Sequence, residues 1–336
     1  MDSILLLVHT EADGTLAKAA LEGLTAALAL GGDLSIGLVG ASVQPGADQI
    51  ASAGAKRILA VVGDEFSQSR YSTDAAAAEA LCRASGATLV LAPATPRWAR
   101  TLPGVAYRLG GRVDTHVTAL AEQNGTAAVT RWFYRQRMEA VLTRTSRPWV
   151  VLLDGGVVPA WSGAAGTAAV EPVVVEAPAT RTTVTGTRSP EAGEQTIRPD
   201  AKLLFVAGAG WTKKQADGAV HSADAEKLIL GFLHATNASL GGSKSLVDLS
   251  GEGEAVLRFM THMNQIGQTG ATPRHPKGLS TCCHGEEPHA VGWRFIGERR
   301  AINLDPNCGW ARGKADVLYV ADAFEVMGQV NRLLQG

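Results

Sequence analysis

Ile4-Leu-Leu-Leu-Val8 opens the chain; Leu16, Ala20, Leu24 and Leu28 follow, each four residues apart, and Gly31-Gly32 precedes Ser35-Ile-Gly-Leu-Val39. A short unbroken apolar run reads as a strand covered on both faces, and an apolar residue at every fourth position as one stripe of a helix. Glycine pairs end helices, so this stretch is strand, helix, strand: a βαβ unit whose two strands pair in parallel. The pattern repeats outward. Arg57 to Val62 and Thr88 to Ala92 are further strand candidates, separated by the alanine-rich helical segment Thr73 to Ala84. Arg112 to Ala119 and Ala127 to Tyr134 follow one another across a Gly-bearing turn and are expected as an antiparallel pair. Pro148 to Leu153 closes the region. The expected fold class is α/β, a largely parallel sheet flanked by helices.

At 336 residues there is room for two domains with a core each. From Gly155 to Pro199 the texture changes to Pro, Gly, Thr and Ala, with Val173-Val-Val175 as the one apolar run. This reads as an edge strand followed by a linker over residues 183–198, which places the domains at 1–198 and 199–336. The formal net charge of −1 leaves no electrostatic footprint for nucleic acid. The opening run has no basic segment before it and is too short for a signal peptide or a membrane span, and no later run approaches about 18 apolar residues. The four cysteines are not spaced as a disulfide framework, so a reducing, cytoplasmic setting is expected.

The first half holds no nucleophile or metal signature. Arg97, Arg100, Arg108 and Arg112 read as a solvated helix face, and His9 and His116 as hydrogen-bonded histidines at strand ends. The second half begins with a strand candidate, Lys202 to Val206, ending in Ala207-Gly-Ala-Gly210, a turn that lacks the third glycine of the dinucleotide fingerprint. Asp224 to Ala235 reads as a helix. Leu240-Gly-Gly-Ser-Lys-Ser-Leu-Val-Asp248 gives a turn with one cation, Lys244. Gln265-Ile-Gly-Gln-Thr-Gly270 and Ser280-Thr-Cys-Cys-His-Gly-Glu-Glu-Pro-His289 follow. Cys282, Cys283, His284, His289 and Cys308 invite a metal reading, but adjacent cysteines lack the C-x₂-C spacing of zinc and iron–sulfur sites. No metal is expected, and the cysteines read as structural thiols, with a redox-active vicinal pair as the alternative. His262 and His275 read as surface loop residues.

In this order and spacing the second half resembles the FAD-binding domain of the electron-transfer flavoprotein α subunit family. The family continues to a Ser-Gly-x-x-Gln-His segment, Asn-x-Asp-Pro and a closing Ala-Asp-rich strand and helix. Those places hold His284-Gly-Glu-Glu-Pro-His289, Asn303-Leu-Asp-Pro306 and Ala315 to Val326. The resemblance spans roughly residues 200 to 336 and is looser in the first half. It implies a doubly wound C-terminal domain with FAD as cofactor. Thr269 would hydrogen-bond the flavin, with Ile266, Gly267 and Gln268 around it. His289 would sit beside the isoalloxazine carbonyl edge, with His284 and Gly285 in the place of the Ser-Gly of that flavin-binding segment; Asn303 and Asp322 would hold the adenosine portion, and Ser243 and Lys244 would replace a Ser-Arg pair. Lys244 offers a point charge where the family has a planar one. In the first turn Ala209 replaces an arginine, and Glu286 and Glu287 stand beside an expected diphosphate contact, where Arg294, Arg299 or Arg300 would have to neutralise them. The resemblance also implies partners: a β subunit, a flavin dehydrogenase as donor and a membrane quinone oxidoreductase as acceptor. An electron carrier transforms no substrate at its site, so no catalytic residue is expected. The departures motivate a second reading, a flavin-poor structural subunit of a larger dehydrogenase assembly, and a third, a flavoenzyme with His284 and His289 as acid and base.

Overall fold

A computed structural model of the chain describes residues 2–123, 125–133, 138–186, 197–198, 200–248, 256–266, 272–281, 295–308, 311–312 and 314–335. The chain divides into two compact units, Met1–Gly186 and Thr187–Gly336.

In the first unit the order is β1 (Ile4–His9), α1 (Lys18–Leu30), β2 (Leu34–Gly40), α2 (Gln44–Gln49), β3 (Arg57–Val62), α3 (Tyr71–Ser85), β4 (Leu89–Pro93) and α4 (Pro96–Arg108). There follow β5 (Arg112–Gln123), β6 (Thr126–Phe133), β7 (Met138–Leu142), β8 (Trp149–Leu153) and β9 (Glu171–Pro172). They form one sheet in the order β7-β6-β5-β8-β4-β1-β2-β3-β9. Pairing is parallel from β5 to β9, and β5, β6 and β7 pair antiparallel. β1 lies at the centre, which is why its sequence is unbroken apolar: Ile4, Leu6 and Val8 pack with Leu24 and Ala27 of α1. Leu5 and Leu7 face the opposite core with Leu81 of α3 and Leu102 of α4. The expected α1 stripe holds at Ala20 and Leu24 but not at Leu28, which is exposed; Leu30 turns inward instead. Gly31 ends the helix at φ +67°, a region glycine enters without a Cβ penalty.

Two charged clusters correct the sequence reading. Arg97 is no solvated residue: it is buried, its guanidinium donating to Asp74 Oδ1 at 2.6 Å and to the Phe66 carbonyl at 2.5 Å. Packing of α3 against α4 encloses that pair, and helical periodicity alone does not reveal it. His116 lies inside β5, at φ +57° beside a register shift between Asp114 and Val117, with Asp154 at 3.4 Å. Near it the buried Asp114 accepts from Arg131, from Arg144 and, at 2.9 Å, from Trp149 Nε1.

The second unit contains β10 (Leu203–Ala207), α5 (Ser222–Thr236), β11 (Ser239–Gly242), α6 (Lys244–Asp248), β12 (His275–Thr281), β13 (Ile296–Asn303), β14 (Val317–Val320) and α7 (Ala323–Gln335). The strands are all parallel in the order β11-β10-β12-β13-β14, the 2-1-3-4-5 order of a doubly wound sheet. Phe205 and Ala207 face a core with Ile229 and Phe232 of α5 and Met327 of α7; Leu204 and Val206 face Ile266, Phe295 and Ile296. His275 is no surface loop residue. It begins the central strand β12 fully buried, its ring nitrogens 2.9 Å from the Pro273 carbonyl and 2.8 Å from the Arg198 carbonyl. Among the described residues no helix is long and apolar enough to cross a membrane.

Asp114→Ala is expected to cost about 1–3 kcal/mol, because it leaves the buried indole N–H of Trp149 without its acceptor, while the part-exposed Arg131 and Arg144 can turn to water; urea unfolding measures this. Burial raises the Asp114 carboxyl pKa, but the hydrogen bonds from Arg144, Trp149 and Arg131 outweigh it and leave it below the ordinary value. Its stabilisation is therefore present above the unfolded carboxylate value of about 3.9 and is lost as pH falls through the lowered folded value. The Ala variant should lack that acid-side loss.

Candidate functional site

Because the second sheet is parallel throughout, its strands end on one edge. Ala207 lies in register with Gly242 on one side and Thr281 on the other, Thr281 with Ile302, and Asn303 with Val320. With strands about 4.8 Å apart, five of them span roughly 19 Å. Chain order reverses between β10 and β12, the switch point at which open α/β sheets bind ligands beyond the carboxyl ends of their strands.

At the β11 end, Ser243 N donates to the Ala207 carbonyl at 2.9 Å, and Ser243 Oγ accepts from Leu246 N at 3.2 Å, capping α6. Lys244 follows, exposed. Ile266 comes back to this edge by donating its N–H to the Gly242 carbonyl at 3.1 Å. Its approach depends on Gly241, where a Cβ would stand 2.8 Å from Ile266 Cγ1 and 3.3 Å from Leu204 Cδ1. The sequence reading overlooked Asn264, which aims this segment. Its Oδ1 accepts from Thr261 N at 3.1 Å and its Nδ2 donates to the Leu240 carbonyl at 3.3 Å. The signal was present in Thr261-x-x-Asn264, a reciprocal cap in which Thr261 Oγ1 accepts from Met263 N.

At the β13–β14 end, Asn303 is buried, donates from Nδ2 to the Asp305 carbonyl at 3.1 Å, and accepts Ala321 N at its own carbonyl. Asp322 Oδ1 accepts from Phe324 N at 2.7 Å and Glu325 N at 3.1 Å, so its charge caps α7. The edge thus gathers Ser243, Lys244 and Ile266 at one end and Asn303 and Asp322 at the other. Gly208, whose N–H donates to the Thr281 carbonyl at 2.9 Å, lies between them.

A family model of the electron transfer flavoprotein domain matches residues 4–180. The chain belongs to the electron transfer flavoprotein family. No curated protein matches it. Electron transfer flavoproteins generally bind flavin and work with partner subunits and dehydrogenases. The matched residues lie in the first unit, so the family assignment and the edge of the second unit are independent observations.

Of the residues that the resemblance singles out in this electron transfer flavoprotein, Gly267, Gln268, Thr269, His284, Gly285 and His289 lie outside the described residues, as do Cys282, Cys283, Glu286, Glu287 and Arg294. Arg299 and Arg300 sit within β13, short of its carboxyl end; Arg299 N donates to Asp316 Oδ2 at 2.6 Å and its Nε to the Ile296 carbonyl at 3.1 Å. Ala209, where an arginine was expected, is buried. Cys308, read as a structural thiol, is buried and disulfide-bonded. Cys82 is a free thiol that burial pushes up to about 12, which leaves it unreactive at neutral pH. Among the described residues no group of three or more His, Cys, Asp or Glu is placed to hold a metal.

Along this edge stand a hydroxyl, a cation, an amide and a carboxylate, polar groups at intervals of the kind that suit an extended ligand. Gly241→Ala should overpack this edge against Ile266 and lower the stability of the second unit by about 1–3 kcal/mol, read by chemical unfolding.

Proposed function

We propose that the chain is the α subunit of an electron transfer flavoprotein, a heterodimer with a β subunit, and that its C-terminal domain, residues 199–336, holds FAD. It would take electrons from a flavin dehydrogenase and pass them towards a membrane quinone oxidoreductase. The observation that carries this reading is the second doubly wound sheet, outside the matched residues, with Ser243, Lys244, Ile266, Asn303 and Asp322 on its carboxyl edge.

Bound FAD would supply the redox chemistry. The chain's own residues bind and tune. Gly208, just past β10, and Gly242, the last residue of β11, carry no side chains; beside Gly242 that space is taken by Met260, whose Cε lies 2.3 Å from where a Cβ would stand. Ser243 holds the start of α6, and Lys244 brings a positive charge to that edge, which favours electron-rich flavin. Asn303 and Asp322, fixed by the turn at Asp305 and the start of α7, stand where the adenosine portion would lie.

A flavin-poor structural subunit is the second reading, favoured by buried Ala209 in the turn where a cation was expected. Co-purification with a β subunit decides between them. One flavin per heterodimer, seen by visible absorbance, supports the carrier; no uptake after reconstitution with FAD sinks it. In the flavin-loaded heterodimer, Lys244→Ala should shift the flavin midpoint potential to more negative values in a potentiometric titration, because a nearby cation favours the reduced form. An unchanged potential would show that Lys244 does not face the ring.

A further inference from the structure

At the switch point of the second sheet, the register of β10 with β12 runs, among the described residues, to Ala207 and Thr281. At that end a side-chain bolt also holds the two segments together. Thr281 is 1% exposed, and its hydroxyl donates to the Val206 carbonyl at 3.2 Å while accepting from Trp211 Nε1 at 2.9 Å. Its own carbonyl accepts Gly208 N. One residue of β12 is therefore tied to three groups of the β10 segment. Trp211, 0% exposed, belongs to the short 3₁₀ turn Ala209–Thr212 that follows β10. On its other side its ring centroid lies 4.6 Å from that of Phe324, whose N–H is held by Asp322. The contacts run without a break from the end of β12, through the turn after β10, to the start of α7.

We propose that Trp211 and Thr281 are positioning residues for the flavin, fixing the crevice between the β10 and β12 ends without touching the cofactor; this rests on the reading of the chain as a flavin-binding subunit. The physical reason lies in what each group demands. A fully buried indole N–H needs an acceptor, and a buried threonine hydroxyl needs both a donor and an acceptor. Here each meets the other's need, so the two segments have one satisfied spacing and no near-equivalent alternative. Ala209 brings no charge to this turn, so its contribution to binding comes from preorganisation, which lowers the ordering cost of holding a ligand.

The test uses the full chain in its heterodimer and FAD as the probe, with affinity read by flavin fluorescence at a temperature where circular dichroism shows each variant folded. Thr281→Val and Trp211→Phe should each raise the Kd for FAD about tenfold, the scale of one lost buried hydrogen bond. Thr281→Ser, which keeps the hydroxyl, should stay close to wild type. The double variant Trp211→Phe/Thr281→Val removes both polar partners, so it should fold at least as well as either single variant and still bind FAD about tenfold more weakly. Wild-type affinity in the double variant would overturn the positioning role and leave the flavin reading intact. A wild-type heterodimer that takes up no FAD would overturn both.

Discussion

Parallel pairing is the constraint on which the rest of this molecule depends. Strands that run the same way must leave their sheet at the same edge, so loops far apart in sequence are delivered to one line. In the second unit that line carries Gly208, Ser243, Asn303 and Asp322, although they are separated by up to 114 residues of chain (322 − 208). Each strand must be followed by a crossover, and the residues just past each strand are the first free to serve a ligand. The same residues also hold the ends in place: Ser243 caps α6, Asp322 caps α7 and Asn303 closes the turn at Asp305. The groups proposed to meet a ligand are thus also the ones that support the strand ends.

The two units solve the burial of charge differently. The first takes carboxylates inside and surrounds them with fixed donors, Arg97 on Asp74 and an arginine pair with Trp149 on Asp114. Removing either partner there leaves a charge in a poorly solvating interior, so such clusters specify one packing more than they add stability. Among its described residues the second unit buries no carboxylate, ammonium or guanidinium; its buried polar groups are neutral amides and hydroxyls such as Ser239, Asn331 and Thr281, with His275. The family match lies over the first unit and the polar strand edge in the second.

How much was legible beforehand depended on whether a residue's neighbours were near in sequence. The runs at Ile4–His9 and Leu203–Ala207 announced buried strands, because a strand covered on both faces has no position for a polar residue. Lys244 and Asp322 could be flagged because the segments bearing them keep their order and distance. Leu28 departs from the expected stripe, since a repeat at every fourth residue fixes only the rough direction of a face. His275 was taken for a loop residue, yet it opens a central strand whose neighbours, β10 and β13, come from elsewhere in the chain. Cys308 was read as a thiol because its spacing from the other cysteines follows no framework.

Sequence alone determined the α/β class, the alternation of strand and helix and the division into two domains, all of which follow from local periodicity and composition. Tertiary structure alone decided that Arg97 is buried, that Asn264 aims the segment at Ile266, and that Trp211 meets Thr281 across 70 residues. These are facts about strand order, and strand order is set by which apolar faces pack together, not by any one stretch of chain.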